Sequence, residues 1–190
     1  MPRWEPHARE RLVAAALQLF GEQGYDQTTV AQIADRAGLT KSTFFRHFPD
    51  KRDVLAAGQE TLSRLLAEGV AAAPPDATPL AAVAEGLRRV AASMTELNRA
   101  IAPSVQAAIA SSAELQARDQ LKHVGMAAAV AGALHDRGVP EATAAMAAEV
   151  GLLAFRDAFA AWVEPGNTTG LPELTADAFA RLRTALRELA

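Results

Sequence analysis

Residues 28–55 read TTVAQIADRAGLTKSTFFRHFPDKRDVL, and this stretch decides the fold. Thr29 opens a helix, and Gln32 stands at the spacing of a capping-box partner. Val30, Ile33, Ala34 and Ala37 recur at helical spacing and face inward. Gly38 ends that helix after about two turns. Thr40 caps a further short helix that ends near Phe48, and Pro49 breaks the chain. Asp50 caps the next helix, with Asp53 in its first turn. Two short helices are thus joined by the tight turn RAGLT. A small residue, Ala34, stands where they cross, and Gly38 stands where the chain turns sharply. These are the physical needs of a helix-turn-helix, a unit that lays its second helix in the major groove of DNA.

The second of these helices, about 40–48, has two unlike faces. Phe44 and Phe48 are one turn apart and pack inward, on Ile33, Ala34 and the first-helix stripe. The far side carries Ser42 and Arg46, with Thr43 and Phe45 on its flanks. Thr40 and Lys41 lie at the end that enters the groove first. Lys and Arg can donate to guanine or to phosphate, and hydroxyls can serve base edges or backbone. The chain has three lysines, Lys41, Lys51 and Lys122, against sixteen arginines, and two of the three fall in this segment. Lys51 lies in the first turn of its helix, where free N–H groups favour an anion, so it suits a phosphate clamp.

Charge is distributed to match. Residues 1–52 hold eight Lys or Arg against six Asp or Glu, a net of +2. Residues 53–190 hold eleven against sixteen, a net of −5, within a total of −3. Only the N-terminal quarter has an electrostatic preference for phosphate. Cysteine is absent, which excludes disulfides and thiolate metal sites and fits a reducing compartment. The opening MPRWEPHARERL lacks a signal-peptide apolar run, and the longest apolar stretch, MAAAVAGAL at 126–134, is too short to span a bilayer. A cytoplasmic protein without a membrane partner is expected.

The whole chain of 190 residues reads as all-α, with about nine helices and no repeats. A first helix runs from about Glu5 to Glu22, with Leu12, Val13, Ala16, Leu17 and Phe20 as its stripe and Gly24 as its stop. The helix that Asp50 caps continues to about Val70. A linker, AAAPPDATPL at 71–80, follows, and Thr78 with Pro79 starts a helix carrying Leu80, Val83, Leu87, Val90 and Met94. A helix around 98–110 is expected to break or bend at Pro103. Ser111 with Glu114 is expected to cap a long helix that ends at Gly138. Pro140 begins another, reaching Trp162, and Thr175 is expected to cap the last.

Together these residues resemble the N-terminal domain of TetR-type (TetR/AcrR) transcriptional regulators over roughly 9–56. Thr29, Ile33, Ala34, Ala37, Gly38, Thr40, Lys41, Ser42, Thr43, His47, Phe48 and Lys51 stand where that family's pattern places such residues. The resemblance implies a three-helix DNA-binding domain at 5–56 and a helical effector-binding and dimerisation domain at 57–190. It implies that Thr40, Lys41, Ser42 and Thr43 touch bases and backbone, and that Thr29, His47 and Lys51 hold phosphates. Phe45 departs from the pattern, which usually has tyrosine there to contact a phosphate. Phe45 can pack on a sugar or a thymine methyl, and Arg46 beside it can supply the phosphate contact. Arg3 and Arg9 could extend an arm along the minor groove or belong to a frayed terminus, and Trp4 covers the start of the first helix.

The resemblance further implies a homodimer on a palindromic double-stranded operator, and a repressor released by a small-molecule effector. The family's usual dimer interface is the last two helices. Ala148, Leu152 and Phe159, with Ala144, Gly151, Phe155 and Trp162, lie on one of them, and Phe179, Leu182 and Leu186 on the other. Intramolecular packing is the competing account of the same stripes. Met94, His123, Met126 and Phe155 are candidate effector contacts, and His123 and Arg156 could orient a polar end. Abundant alanine and few aromatics suggest a lipophilic or acyl-type molecule. The alternatives are a ligand-independent DNA-binding protein, or an all-helical carrier or enzyme with an incidental helix-turn-helix. The latter has little support. There is no HExxH, Glu-x-x-His pair, GxGxxG or P-loop, and the four histidines are scattered, so no catalytic residue, cofactor or metal is expected.

Overall fold

The computed structural model describes the backbone of residues 8–188, with the side chains of all of these but 55–59 and 108. Among the described residues there are nine helices and no strand. They are α1 (Ala8–Gln23), α2 (Val30–Arg36), α3 (Lys41–His47), α4 (Lys51–Ala71), α5 (Pro79–Ser93), α6 (Glu96–Ser111), α7 (Ala113–Asp136), α8 (Glu141–Val163) and α9 (Leu171–Glu188). The expected start of the first helix at Glu5, together with Arg3, Trp4 and His7, lies outside the described residues.

The chain forms two compact units, Met1–Gly58 with Glu96–Asp119, and Gln59–Thr95 with Gln120–Ala190. The division differs from the expected single boundary after residue 56. In the first unit α6 packs along α1, so a segment distant in sequence completes the N-terminal core. Leu115 and Ile109 join a cluster built from Leu12, Ala16, Phe20, Ile33, Phe44 and Val54. Pro103 does not end α6, which continues to Ser111. The residues before it, Ile101 and Ala102, are buried, so packing offsets the hydrogen bond that proline cannot donate.

The helix ends of the first unit follow the sequence closely. Gly24 is left-handed (φ +85°) and its N–H donates to the Phe20 carbonyl after α1. Thr29 and Gln32 form the reciprocal capping box at the start of α2. Gly38 is left-handed (φ +65°), donating to the Asp35 carbonyl, while Leu39 donates to Ala34, the Schellman pattern. A side chain at 38 would be strained there, and its Cβ would lie 2.9 Å from an Arg11 nitrogen. That arginine donates to the Ala37 carbonyl, tying the turn to α1.

In the second unit, α8 packs against both α9 and α5 around Leu66, Val83, Leu87, Leu134, Leu152 and Trp162. Thr78 caps α5 with Pro79 in its first turn. Arg137 donates to the carbonyls of Ala71, Ala73 and Pro74 and so caps the end of α4. Two expected caps are displaced. Ser112, not Ser111, caps α7, accepting from the Leu115 N–H (3.4 Å), and Glu114 is drawn to arginines instead. The last helix starts at Leu171, four residues before the expected Thr175. Pro172 is tolerated in a first turn, where its missing N–H has no helical partner to lose. Buried Leu171 anchors the start, and the Thr175 hydroxyl donates back to the Leu171 carbonyl (2.7 Å).

Candidate nucleic-acid interface

The helix α3 has seven residues, too few to hold itself by backbone bonds alone. It is fixed from both sides. Thr40 accepts from the Thr43 N–H (3.1 Å) at its start. Phe44 and Phe48 are fully buried, with ring centroids 5.6 Å apart. The opposite side is open: Lys41, Ser42, Phe45 and Arg46 are exposed, while Thr43 and His47 are half-buried. Among the described residues no hydrogen bond or ion pair engages the side chains of Lys41, Ser42 or Arg46. Around the helix the exposed order is Lys41, Phe45, Ser42, Arg46. Phe45 therefore lies within the outer arc and not at its flank.

The remaining interface candidates divide by what already holds them. Thr29 is exposed, but its hydroxyl serves the capping box with Gln32 (3.3 and 2.9 Å). The Thr40 and Thr43 hydroxyls are 3.0 Å apart and share one hydrogen bond. The His47 Nε2 is buried and has no hydrogen-bond partner among the described residues, so that edge of the ring faces protein and not solvent. Arg9 lies over the Phe48 ring, 5.6 Å from its centroid, which places its guanidinium on the domain surface.

Lys51 turns inward. Its ammonium is turned onto the turn between α1 and α2, donating to the carbonyls of Tyr25 (2.7 Å), Thr28 (3.0 Å) and Asp26 (3.4 Å). It also lies 4.3 Å from the Tyr25 ring centroid. Burial pushes its pKa down, and Asp26 and Asp50 work against that shift. Three acceptors match the three ammonium protons, so in this arrangement the ammonium is engaged within the chain. Sequence reasoning placed it correctly at the helix start but could not see the carbonyls that converge there.

The expected Asp50 cap of α4 is present, and arginine pairs that the sequence did not announce reinforce it. Asp50 accepts from the Arg52 N–H (2.6 Å) and the Asp53 N–H (3.3 Å), and its own N–H donates to Asp53 (3.0 Å). Arg52 pairs with Asp50 and Glu114, both at 2.5 Å, and Arg118 pairs with Asp53 at 2.7 Å. Burial pushes the Asp50 carboxyl up, but the bonds from Arg52 and the backbone outweigh it and hold the pKa below the usual value. The partners come from the first turns of α7, far off in sequence.

Beneath Lys51, Tyr25 is buried and its hydroxyl has no partner among the described residues. Burial, and then the Asp50 charge, push its pKa up to about 12. A raised acid pKa contributes stability that is whole below the unfolded value near 10 and lost as pH rises through about 12. Tyr25→Phe is expected to abolish this alkaline loss while leaving stability at neutral pH unchanged or higher by up to about 1 kcal/mol. Denaturant melts at pH 8 and pH 11 check it, and parallel pH dependence in the two proteins would refute it.

The second unit holds the other candidates. His123 donates to the Glu149 carboxylate at 2.8 Å, and both line an open cavity of about 280 Å³ with Val150, Leu152, Leu153 and Arg156. Met94, Met126 and Phe155 pack against the core and do not line this cavity, so the four effector candidates are not brought together. Met94 in fact sits at the C-cap of α5. A second cavity of about 460 Å³ is lined by Thr78, Leu80, Ala81, Arg183, Leu186 and Arg187.

Of the dimer candidates, Ala148, Leu152 and Phe179 are buried in the chain's own core, and Phe159, Leu182 are packed against it. The small residue Gly151 serves an internal crossing, since a Cβ there would lie 2.3 Å from Val83 Cγ1 of α5. Leu186 instead lines the second cavity. The large apolar side chains left exposed in this unit are Leu121, Val124 and Met146. Periodicity could not separate an inward stripe from an outward one on helices this rich in alanine.

Among the described residues no group of three His, Cys, Asp or Glu could hold a metal, and no helix is long and apolar enough to cross a membrane.

A capped helix pair joined by a left-handed glycine, presenting one polar and cationic arc, defines a helix-turn-helix protein. Residues 12–57 match the family model of bacterial regulatory proteins of the tetR family. Over those residues the chain is similar to that family's N-terminal domain. It is 35% identical over 82 residues to the HTH-type transcriptional regulator TcmR of Streptomyces glaucescens, covering 43% of this chain and 36% of that one. It is 40% identical over 73 residues to the HTH-type transcriptional regulator BetI of Stenotrophomonas maltophilia, covering 38% of this chain and 37% of that one. The matched part thus spans about a third of these curated relatives. The fold extends over the whole chain. The fatty acid degradation regulator FadR from Bacillus halodurans superposes with a TM-score of 0.69 at 19% identity, covering 97% of this chain and 99% of that one.

Proposed function

We propose that the chain is a DNA-binding transcriptional regulator and not an enzyme, acting as a homodimeric repressor on a palindromic operator. The observation that carries this reading is the exposed arc Lys41, Phe45, Ser42, Arg46, whose polar side chains are unengaged among the described residues, on a helix locked from behind by Phe44 and Phe48. An arc of this kind costs nothing to desolvate from internal partners and offers two cations to a polyanion. Lys41 and Ser42, at the leading end of α3, read base edges. Arg46 holds a phosphate in place of the hydroxyl that Phe45 lacks. Thr29, Thr40, Thr43 and His47 contribute mainly by holding α2 and α3 in register.

A homodimer supplies the two-fold symmetry that a palindrome requires. The exposed Met146 on α8 is better suited to a partner copy than the buried Ala148 and Leu152. A small lipophilic effector fits the second unit, its polar end at His123 and Arg156 and its apolar body on Val150, Leu152 and Leu153. α4 and α7 each run through the division between the two units, which gives a bound effector a covalent route to the DNA-reading half. The effector acts by preferring the non-binding state, with a coupling of about 1–3 kcal/mol.

The test is a salt titration of purified protein on palindromes from the DNA flanking its own coding region. Affinity is expected to fall steeply with salt, with two protomers per duplex. Arg46→Ala is expected to reduce the slope of log affinity against log salt by about 1. Absence of salt-dependent binding to any such palindrome sinks the regulator reading. An unchanged slope in Arg46→Ala sinks the assignment of that residue.

A further inference from the structure

Phe45 is the one exposed aromatic side chain among the described residues, with 55% of its surface open. It is not loose. Its ring stands edge-on to the buried Phe44 ring, with centroids 5.6 Å apart and planes at 84°. Such a T-shaped pair is a favoured aromatic geometry, and Phe44 itself is immobilised in the core. Phe45 is therefore a rigid apolar wedge placed between Lys41 and Ser42 on the outer arc of α3. A phenyl ring has no donor or acceptor, so it cannot hold a phosphate or pair with a polar base edge. In the major groove the apolar feature that differs between base pairs is the C5-methyl group of thymine.

We infer that Phe45 is a specificity residue that reads the 5-methyl group of one thymine in each operator half-site. This rests on the proposed reading of α3 as the major-groove helix. The two cations of the arc bring the helix to the duplex without regard to sequence. Phe45 between them rewards a methyl group and gains nothing from a cytosine at the same place. Specificity then falls on a contact that salt does not screen, while Arg46 keeps the backbone contact that salt does screen.

The experiment starts from an operator obtained by selection from random duplexes with the wild-type chain. Each thymine of a half-site is then replaced in turn by deoxyuridine, which removes the methyl group and leaves every hydrogen-bonding group. The wild type and Phe45→Ala are titrated with each duplex, after thermal melts show that both are folded. At one thymine per half-site the wild type is expected to lose affinity by about fourfold on removal of the methyl group. At that same position Phe45→Ala is expected to lose nothing further, so that the two changes are not additive. Phe45→Tyr keeps the ring and is expected to keep the methyl dependence. The inference is overturned if the selected half-site lacks thymine, or if every uridine substitution affects the wild type and Phe45→Ala equally. If selection yields no preferred sequence and no salt-dependent binding, the DNA-binding reading itself has failed, a different and earlier result.

Discussion

Phe44→Ala is expected to unfold the helix-turn-helix unit and abolish operator binding with it. Phe44 is 0% exposed and touches the rings of both Phe45 and Phe48. It belongs to the cluster that holds Leu12, Phe20, Ile33 and Val54, so its side chain helps fasten α3 to α1 and α2. Truncating a buried phenylalanine typically costs about 3–5 kcal/mol, a large share of the roughly 5–15 kcal/mol that stabilises a domain. A helix of seven residues has no independent stability to fall back on. The change in melting temperature, followed by circular dichroism, is expected to exceed about 10 °C. Phe44→Leu, which fills most of the volume, is expected to retain folding and binding with a smaller loss. A melting temperature in Phe44→Ala within about 2 °C of the wild type would show that the α3 anchor lies elsewhere.

The second large effect is expected at Lys51, and its sign separates two roles. Lys51→Met keeps the aliphatic stem over Tyr25 but leaves the carbonyls of Tyr25, Asp26 and Thr28 without their shared cation. Leaving such groups unsatisfied costs about 1–3 kcal/mol. The turn they belong to leads directly into the Thr29 cap of α2, so the loss disturbs the helix that supports α3. Operator affinity is expected to fall roughly tenfold while its salt slope stays as in the wild type. Direct phosphate binding by the ammonium predicts something else, a slope smaller by about 1. A reduced slope in Lys51→Met would therefore restore the phosphate clamp and refute the positioning role.

The contrast between these two residues shows what local sequence can reveal. Phe44 and Phe48 were legible as core because helical spacing puts them on one face, and caps and breakers bound the helix on both sides. Lys51 was legible in place, but its internal contacts were not. The carbonyls it satisfies lie more than twenty residues earlier in the chain, and only folding assembles them. The same holds for Arg52 and Arg118, whose partners Glu114 and Asp53 lie some sixty residues away. In the second unit the stripes were visible but their direction was not. Ala148, Leu152 and Phe179 have the spacing of an interface and the burial of a core.

By itself the sequence determined the helical class, the order of the elements and the helix-turn-helix. Each depends on interactions within a few residues: Thr29 with Gln32, Gly38 with Asp35, Thr40 with Thr43. Such contacts recur wherever the pattern recurs, because backbone geometry and capping chemistry are local. Only the tertiary structure decided that α6 completes the N-terminal core, that Lys51 turns inward and that the Gly151 crossing is spent within the chain. Only it placed Phe45 inside the exposed arc, edge-on to Phe44. Those outcomes depend on which distant surfaces compete for the same apolar face or the same carbonyl, a choice that no short window of residues contains.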